Sequence, residues 1–152
     1  SQEINFEVAD LAAFIAGDAR LKDSNLIRYN SGQGWASLQL NVTTINASAL
    51  IDLFPGFDPQ LLEALQPPAL FHNPVSTVEY RSMLGALMGR TAARALDATK
   101  LDLTLILPGT IMESSGLVLE SGSNPRKASF AIAVVDAMVL EKPINIYLKW
   151  QQ

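Results

Sequence analysis

From Ser76 to Gly109 the apolar positions follow first a helical and then a strand rhythm. On a 3.6-residue wheel Tyr80, Leu84, Leu87, Met88, Thr91, Ala92, Ala95 and Leu96 share one face, with Glu79, Arg90, Arg94 and Asp97 opposite. That spacing predicts one amphipathic helix over 77–98. Burying a large apolar side chain contributes about 1.5 to 3 kcal/mol, so this face needs a broad partner to offset its own ordering, and a sheet is expected. Leu101, Leu103, Leu105 and Leu107 then alternate with Asp102, Thr104 and Ile106, which predicts a strand lying mostly in the core and ending at Pro108-Gly109.

The same reading extends in both directions. Ile4, Phe6 and Val8 alternate with Asn5 and Glu7 and predict an opening strand, after which Asp10 stands as N-cap of a helix over 11–19. Residues 26–29 and 35–43 predict a hairpin around Asn30-Ser31-Gly32-Gln33-Gly34, whose two glycines are expected to supply positive φ. Its core face is Ala36, Leu38, Leu40 and Val42. A second hairpin is predicted from 117–120 and 128–135 across a polar loop, then a helical turn over 136–142 before Pro143. Ile144, Ile146, Leu148 and Trp150 alternate in a closing strand. Strands before and after a helical middle predict an α+β fold: a mainly antiparallel sheet of about six or seven strands packed on one long amphipathic helix, with short helices in the middle of the chain. At 152 residues with 49% hydrophobic composition, the chain is expected to form a single domain, 1–152.

Charge narrows the partners. A net charge of -4 argues against a nucleic-acid surface, which needs clustered cations. Residues 1–79 carry nine acids and three bases, residues 80–152 six acids and eight bases, and no charge falls between Arg28 and Asp52. With no cysteine there is no disulfide, thiolate nucleophile or cysteine-bound metal. No apolar run reaches the 18 or so residues of a membrane span, and from Ser1-Gln2-Glu3 a mature or trimmed chain is expected, with no signal peptide in these residues.

The chemistry that the residues offer is sparse. His72 is the one histidine, so a His-rich metal site is excluded, and a hydrolytic triad would have to use His72 with Ser114 or Ser115 without a Gly-x-Ser-x-Gly elbow. Such a small hydrolase is the alternative to a non-catalytic domain; the plainer reading is an exposed loop histidine and a Glu113-Ser114-Ser115-Gly116 loop. Asp52, Asp58, Glu63, Glu79, Asp97 and Asp102 are dispersed singly, and no catalytic residue, metal ligand or cofactor is expected. Gly85 and Gly89 are spaced for close approach to a neighbouring element. Arg90 and Arg94 are spaced to grip an anion or, more simply, to pair with Asp97. Asn41-Val42-Thr43 and Asn46-Ala47-Ser48 are glycosylation sequons by pattern alone.

The segment 47–71 holds ten large apolar residues against Asp52, Asp58 and Glu63, and prolines break it. Two short helices are predicted, 47–53 and 59–65, the second with Asp58 as N-cap and Pro59 at its first position. Its surplus apolar surface has two readings: ordinary core over the second face of the sheet, or a movable cap whose Phe54, Phe57, Leu61 and Phe71 border an apolar groove or cavity. In the second reading the occupant is an apolar small molecule, another copy of the chain or an envelope protein. Truncating Phe54 or Phe57 to Ala separates them, costing about 3 to 5 kcal/mol in a core and much less in a groove.

Leu107-Pro108-Gly109-Thr110-Ile111, Ser114-Ser115-Gly116 and Leu140-Glu141-Lys142-Pro143 with its closing strand cover roughly the last third of the chain. In these residues the sequence resembles bacterial envelope lipoproteins of uncharacterised function. The resemblance implies export, a periplasmic or surface-anchored location and a lipid anchor on a cysteine upstream of Ser1. It carries over no functional residue.

Overall fold

The structure, a computed structural model, describes residues 7–53 and 58–152. Asp10 caps α1 (Leu11–Gly17) by accepting from the Ala13 amide, and Asp18 ends that helix and caps α2 (Ala19–Asp23) through the Arg20 amide. The single helix expected over 11–19 is thus two, because an aspartate that accepts backbone N–H bonds starts a new helix instead of continuing the old one. Ile4 and Phe6 of the expected opening strand lie outside the described residues, and Val8 belongs to no strand.

A hairpin of β1 (Ile27–Gly32) and β2 (Trp35–Val42) follows, and its turn is only Gln33-Gly34. Gly34 has φ +78, whereas Gly32 stays in the strand, where a Cβ would run into the Trp35 ring. The helical middle comprises α3 (Ala47–Leu53), α4 (Pro59–Leu65) and α5 (Pro68–Phe71). Both predicted helices are present, with Asp58 capping Gln60 and Pro59 at the first position of α4. Then come α6 (Thr77–Met88), α7 (Arg90–Asp97), β3 (Lys100–Ile106), β4 (Ile111–Ser115), β5 (Val118–Leu119), β6 (Lys127–Ala133), α8 (Val134–Val139) and β7 (Ile144–Gln151).

The strands form two antiparallel sheets, β1-β2-β7-β4 and β3-β6-β5, instead of one. β7 runs against β2 from Trp35↔Gln151 to Val42↔Ile144 and carries β4 on its other side, with a register shift between Ile111 and Glu113. The pattern Glu113-Ser114-Ser115-Gly116, with no apolar alternation, reads as a loop, yet its first three residues end β4, whose pairing with β7 is set by the partner strand. Backbone closeness explains two glycines here, since a Cβ on Gly109 would overlap the Gln151 carbonyl and one on Gly116 the Asn145 carbonyl.

Three apolar clusters hold these layers. Leu21, Leu26, Val42, Ala47, Ala69 and Leu140 join the N-terminal helices to the first sheet. Ala36, Ile111, Ala128, Leu148 and Trp150, with Leu105 and Leu107 against them, lie between the sheets. Leu65, Tyr80, Leu84, Val135 and Val139 make a third cluster that is helical throughout. The partner of the amphipathic stretch is therefore α4 and α8, not a sheet.

The long helix is also broken. Gly89 adopts φ +83 and ψ 156, a region closed to side-chain-bearing residues, and α7 restarts beyond it. As a result Tyr80 and Leu84 are buried and Met88 and Leu96 half-buried, but Thr91, Ala92 and Ala95 are exposed and Leu87 is 64% exposed. Gly85 has open space around it, so the expected close approach is absent there. β3 is less buried than a strand lying mostly in the core: Leu101, of the leucine face, is 45% exposed, and Ile106, which alternates with Asp102 and Thr104, is 77% exposed.

Candidate functional site

The candidate site is the carboxy-terminal half of the apolar middle, and its geometry follows from its prolines. α4 ends at Gln66, a left-handed residue at φ 44, after which buried Pro67 and Pro68 turn the chain into α5. α5 in turn ends at His72, φ 52, whose amide donates to the Pro68 carbonyl. Proline cannot continue the preceding helix but starts a new one well, so Pro67-Pro68 gives two short helices with a sharp corner.

That corner is pinned on two cores. Leu65 packs in the helical cluster, and its carbonyl accepts a 2.7 Å hydrogen bond from buried Tyr80 Oη. Ala69 packs with Leu21, Leu26, Val42, Ala47 and Leu140. Burial raises the Tyr80 phenol from 10.0 to about 12, which keeps it a donor across the ordinary pH range. Leu65, Pro67, Pro68 and Ala69 are thus buried.

Two side chains of the same half do the reverse. Leu61, one turn before Leu65 on α4, is 55% exposed, and Phe71 at the end of α5 is 50% exposed. They are brought to the surface on successive helices with Leu65, Pro67, Pro68 and Ala69 buried between them. Phe54 and Phe57 lie outside the described residues. Met83 and Leu87 of α6 are also exposed and four residues apart, although the wheel sets Leu87 on the inward face. Both flank the Tyr80–Leu84 face on the wheel; the signal was an apolar stripe wider than one contact line.

The remaining chemistry is dispersed. His72 is exposed at its helix end and Ser114 and Ser115 are exposed on β4, and among the described residues no hydrogen bond joins the histidine to either serine. Asp97 is paired with Arg81 at 2.6 Å, not with Arg90 or Arg94, and the same guanidinium reaches Asp136 at 3.1 Å, tying α6 to α7 and α8. Its hydrogen bond to Asp97 raises the Arg81 pKa further.

Two glutamates meet at the start of α6. Glu79 accepts from the Ser76 amide and hydroxyl while Ser76 Oγ accepts from the Glu79 amide, and Glu141 accepts from the Thr77 amide. These bonds hold both carboxyls below the ordinary 4.5. Two ionised carboxylates at a helix N-terminus form a cap, with neither kept protonated as a general acid requires. No group of three or more metal-ligating side chains occurs among the described residues.

Two open depressions lie elsewhere. One, of about 480 Å³, is lined by Asp102, Gly116, Leu117, Val118, Ser129 and Phe130, among others. The other, of about 470 Å³, lies around Pro108, Gly109, Asn124, Arg126 and Gln151. No helix among the described residues is long and apolar enough to cross a membrane. No protein-family model, curated protein or solved structure matches the chain.

Proposed function

We propose that this chain is a non-catalytic, extracytoplasmic domain of the cell envelope that binds an apolar ligand or a protein partner through segment 47–71, with Leu61 and Phe71 at the contact. The observation that carries the reading is the contrast within one short stretch: a corner fixed by buried Leu65, Pro67, Pro68 and Ala69 presents two large apolar side chains to solvent. Fixed backbone and exposed apolar tips suit recognition, because little order has to be imposed on binding.

The test uses an apolar dye and a long-chain fatty acid as probes. Parent protein is expected to enhance dye fluorescence, and the Leu61→Ser, Phe71→Ser double variant to lose most of that enhancement while keeping its unfolding temperature. Absence of uptake by the parent, or a collapse of stability in the variant, removes the reading. The envelope placement rests on the resemblance of the last third of the chain, and fatty-acid labelling of the whole gene product checks it. Failure to find label on a cysteine ahead of Ser1 would count against a lipid anchor.

A further inference from the structure

β3 ends its sheet, and the hydrogen bonds next to it show which way its backbone faces. The Leu107 amide donates to the Arg126 carbonyl and the Val134 amide to the Thr99 carbonyl, which are hydrogen-bonded positions of the β3–β6 ladder. Such positions alternate along an antiparallel pair, so Leu101, Leu103 and Leu105 direct their backbone groups at β6. Lys100, Asp102, Thr104 and Ile106 direct theirs outward. Among the described residues nothing pairs with that outward side.

The other sheet ends differ. β4 carries a register shift, β5 has two residues, and β1 has α1 beside it. β3 is seven residues long with no proline and no shift, the kind of edge that pairs with another strand unless it is blunted.

We propose that β3 pairs antiparallel with β3 of a second copy, around a two-fold axis through Leu103. This register matches every outward-facing residue: Lys100 with Ile106 of the second copy, Asp102 with Thr104, and the two reciprocal pairs. It also keeps each face consistent. Leu101 stands opposite Leu105 and Leu103 opposite Leu103 at a close, non-hydrogen-bonded position, so the apolar face runs on across the axis and half-exposed Leu101 gains a neighbour.

Other two-fold registers are poorer. Centring on Asp102 sets that carboxylate against its own copy, and centring on Thr104 places Lys100 opposite Pro108, which has no amide to donate. Centring on Leu101 pairs only Lys100 with Asp102. The two-fold consumes both β3 edges and leaves two-residue β5 at either end, so assembly closes at the dimer. This interface is independent of Leu61 and Phe71.

Sedimentation velocity across a concentration series tests it. The parent is expected to shift from 16.4 kDa to twice that mass as concentration rises. Thr104→Lys places a cation opposite Asp102 twice by symmetry and should tighten the dimer by about threefold to thirtyfold, whereas Thr104→Asp should weaken it by a similar factor. Thr104→Pro removes an outward amide without touching the β6 ladder, and should give a folded monomer by circular dichroism. A parent that stays monomeric at hundreds of micromolar overturns the proposal. So does a dimer whose affinity is the same in the Lys and Asp variants.

Discussion

Tyr80 is the residue on which the helical cluster turns. Its ring is buried between α6 and α8, and its hydroxyl holds the Leu65 carbonyl at the end of α4. Tyr80→Phe keeps the ring and deletes one buried hydrogen bond, so a loss of about 1 kcal/mol is expected in urea unfolding. The alkaline arm carries a sign as well. The unfolded chain ionises this phenol near 10.0 and the folded chain only at about 12, so its contribution is whole below pH 10 and is lost progressively as pH rises from there to about 12. The parent should lose stability over that window more steeply than Tyr80→Phe; equal slopes would show that the phenol is not the group responsible. Asn46 is the counterpart on the sheet side. Buried, it donates through Nδ2 to the Ser24 and Asn41 carbonyls and accepts from the Thr43 amide. The pattern Asn46-Ala47-Ser48 read as a sequon, but an amide engaged in three bonds is an internal strut. Asn46→Ala should cost about 2 to 4 kcal/mol in thermal or urea unfolding because it strands three backbone groups. The local sequence does not distinguish such an asparagine from a surface one, since its partners lie three, five and twenty-two residues away and the last is reached only through the fold.

At the scale of elements, a wheel reports which residues share a face and is blind to one backbone angle. Of the eight residues that the wheel sets on one face, Tyr80, Leu84, Met88 and Leu96 are inward, whereas Leu87, Thr91, Ala92 and Ala95 are exposed. The break at Gly89 was not legible, because a glycine inside a helical pattern reads equally as a tolerated residue or as a stop. Gly85 and Gly89 give opposite expectations. Gly85 sits inside α6 with open space around its Cα, so Gly85→Ala should stabilise by about 0.5 to 1 kcal/mol. Gly89→Ala forces a side chain into φ +83, ψ 156 and should cost about 1 to 3 kcal/mol. Guanidinium unfolding of both variants checks the pair, and stabilisation by both would mean that α6 and α7 form one helix. The start of α6 is held by its own Ser76-x-x-Glu79 box, which the wheel does not read, while Glu141 arrives from sixty-four residues away. Both carboxyls are held below 4.5, so their support is present above that pH and is lost as pH falls through their lowered folded values. Glu79→Gln with Glu141→Gln should flatten the acid limb of the stability profile.

For the molecule as a whole, class was legible and arrangement was not. Alternation located most strands, including β2 and β7, and the prolines and Asp58 located α3 and α4. Alternation is silent on which strands share a sheet, and the division into four and three follows from pairings between distant residues. Of the candidate residues, Leu61 and Phe71 are apolar in sequence and exposed in the fold, whereas their spacing does not show the burial of Leu65 and Ala69 on different cores. Those two residues make a prediction about cooperativity. Only Gln66, Pro67 and Pro68 separate a residue of the helical cluster from one of the sheet-side cluster, and Pro67 and Pro68 are themselves buried. Loss of either cluster therefore removes support from the corner that joins them. Both tryptophans, Trp35 and Trp150, lie in the first sheet, so fluorescence follows that sheet while circular dichroism at helical wavelengths follows α1 to α8. Leu65→Ala truncates a buried leucine and should cost about 2 to 5 kcal/mol, yet the two signals should still coincide in urea at one lowered midpoint. If fluorescence kept the parental midpoint while helical signal was lost early, the helices and the sheets would be separate cooperative units and the corner at Pro67-Pro68 would not couple them.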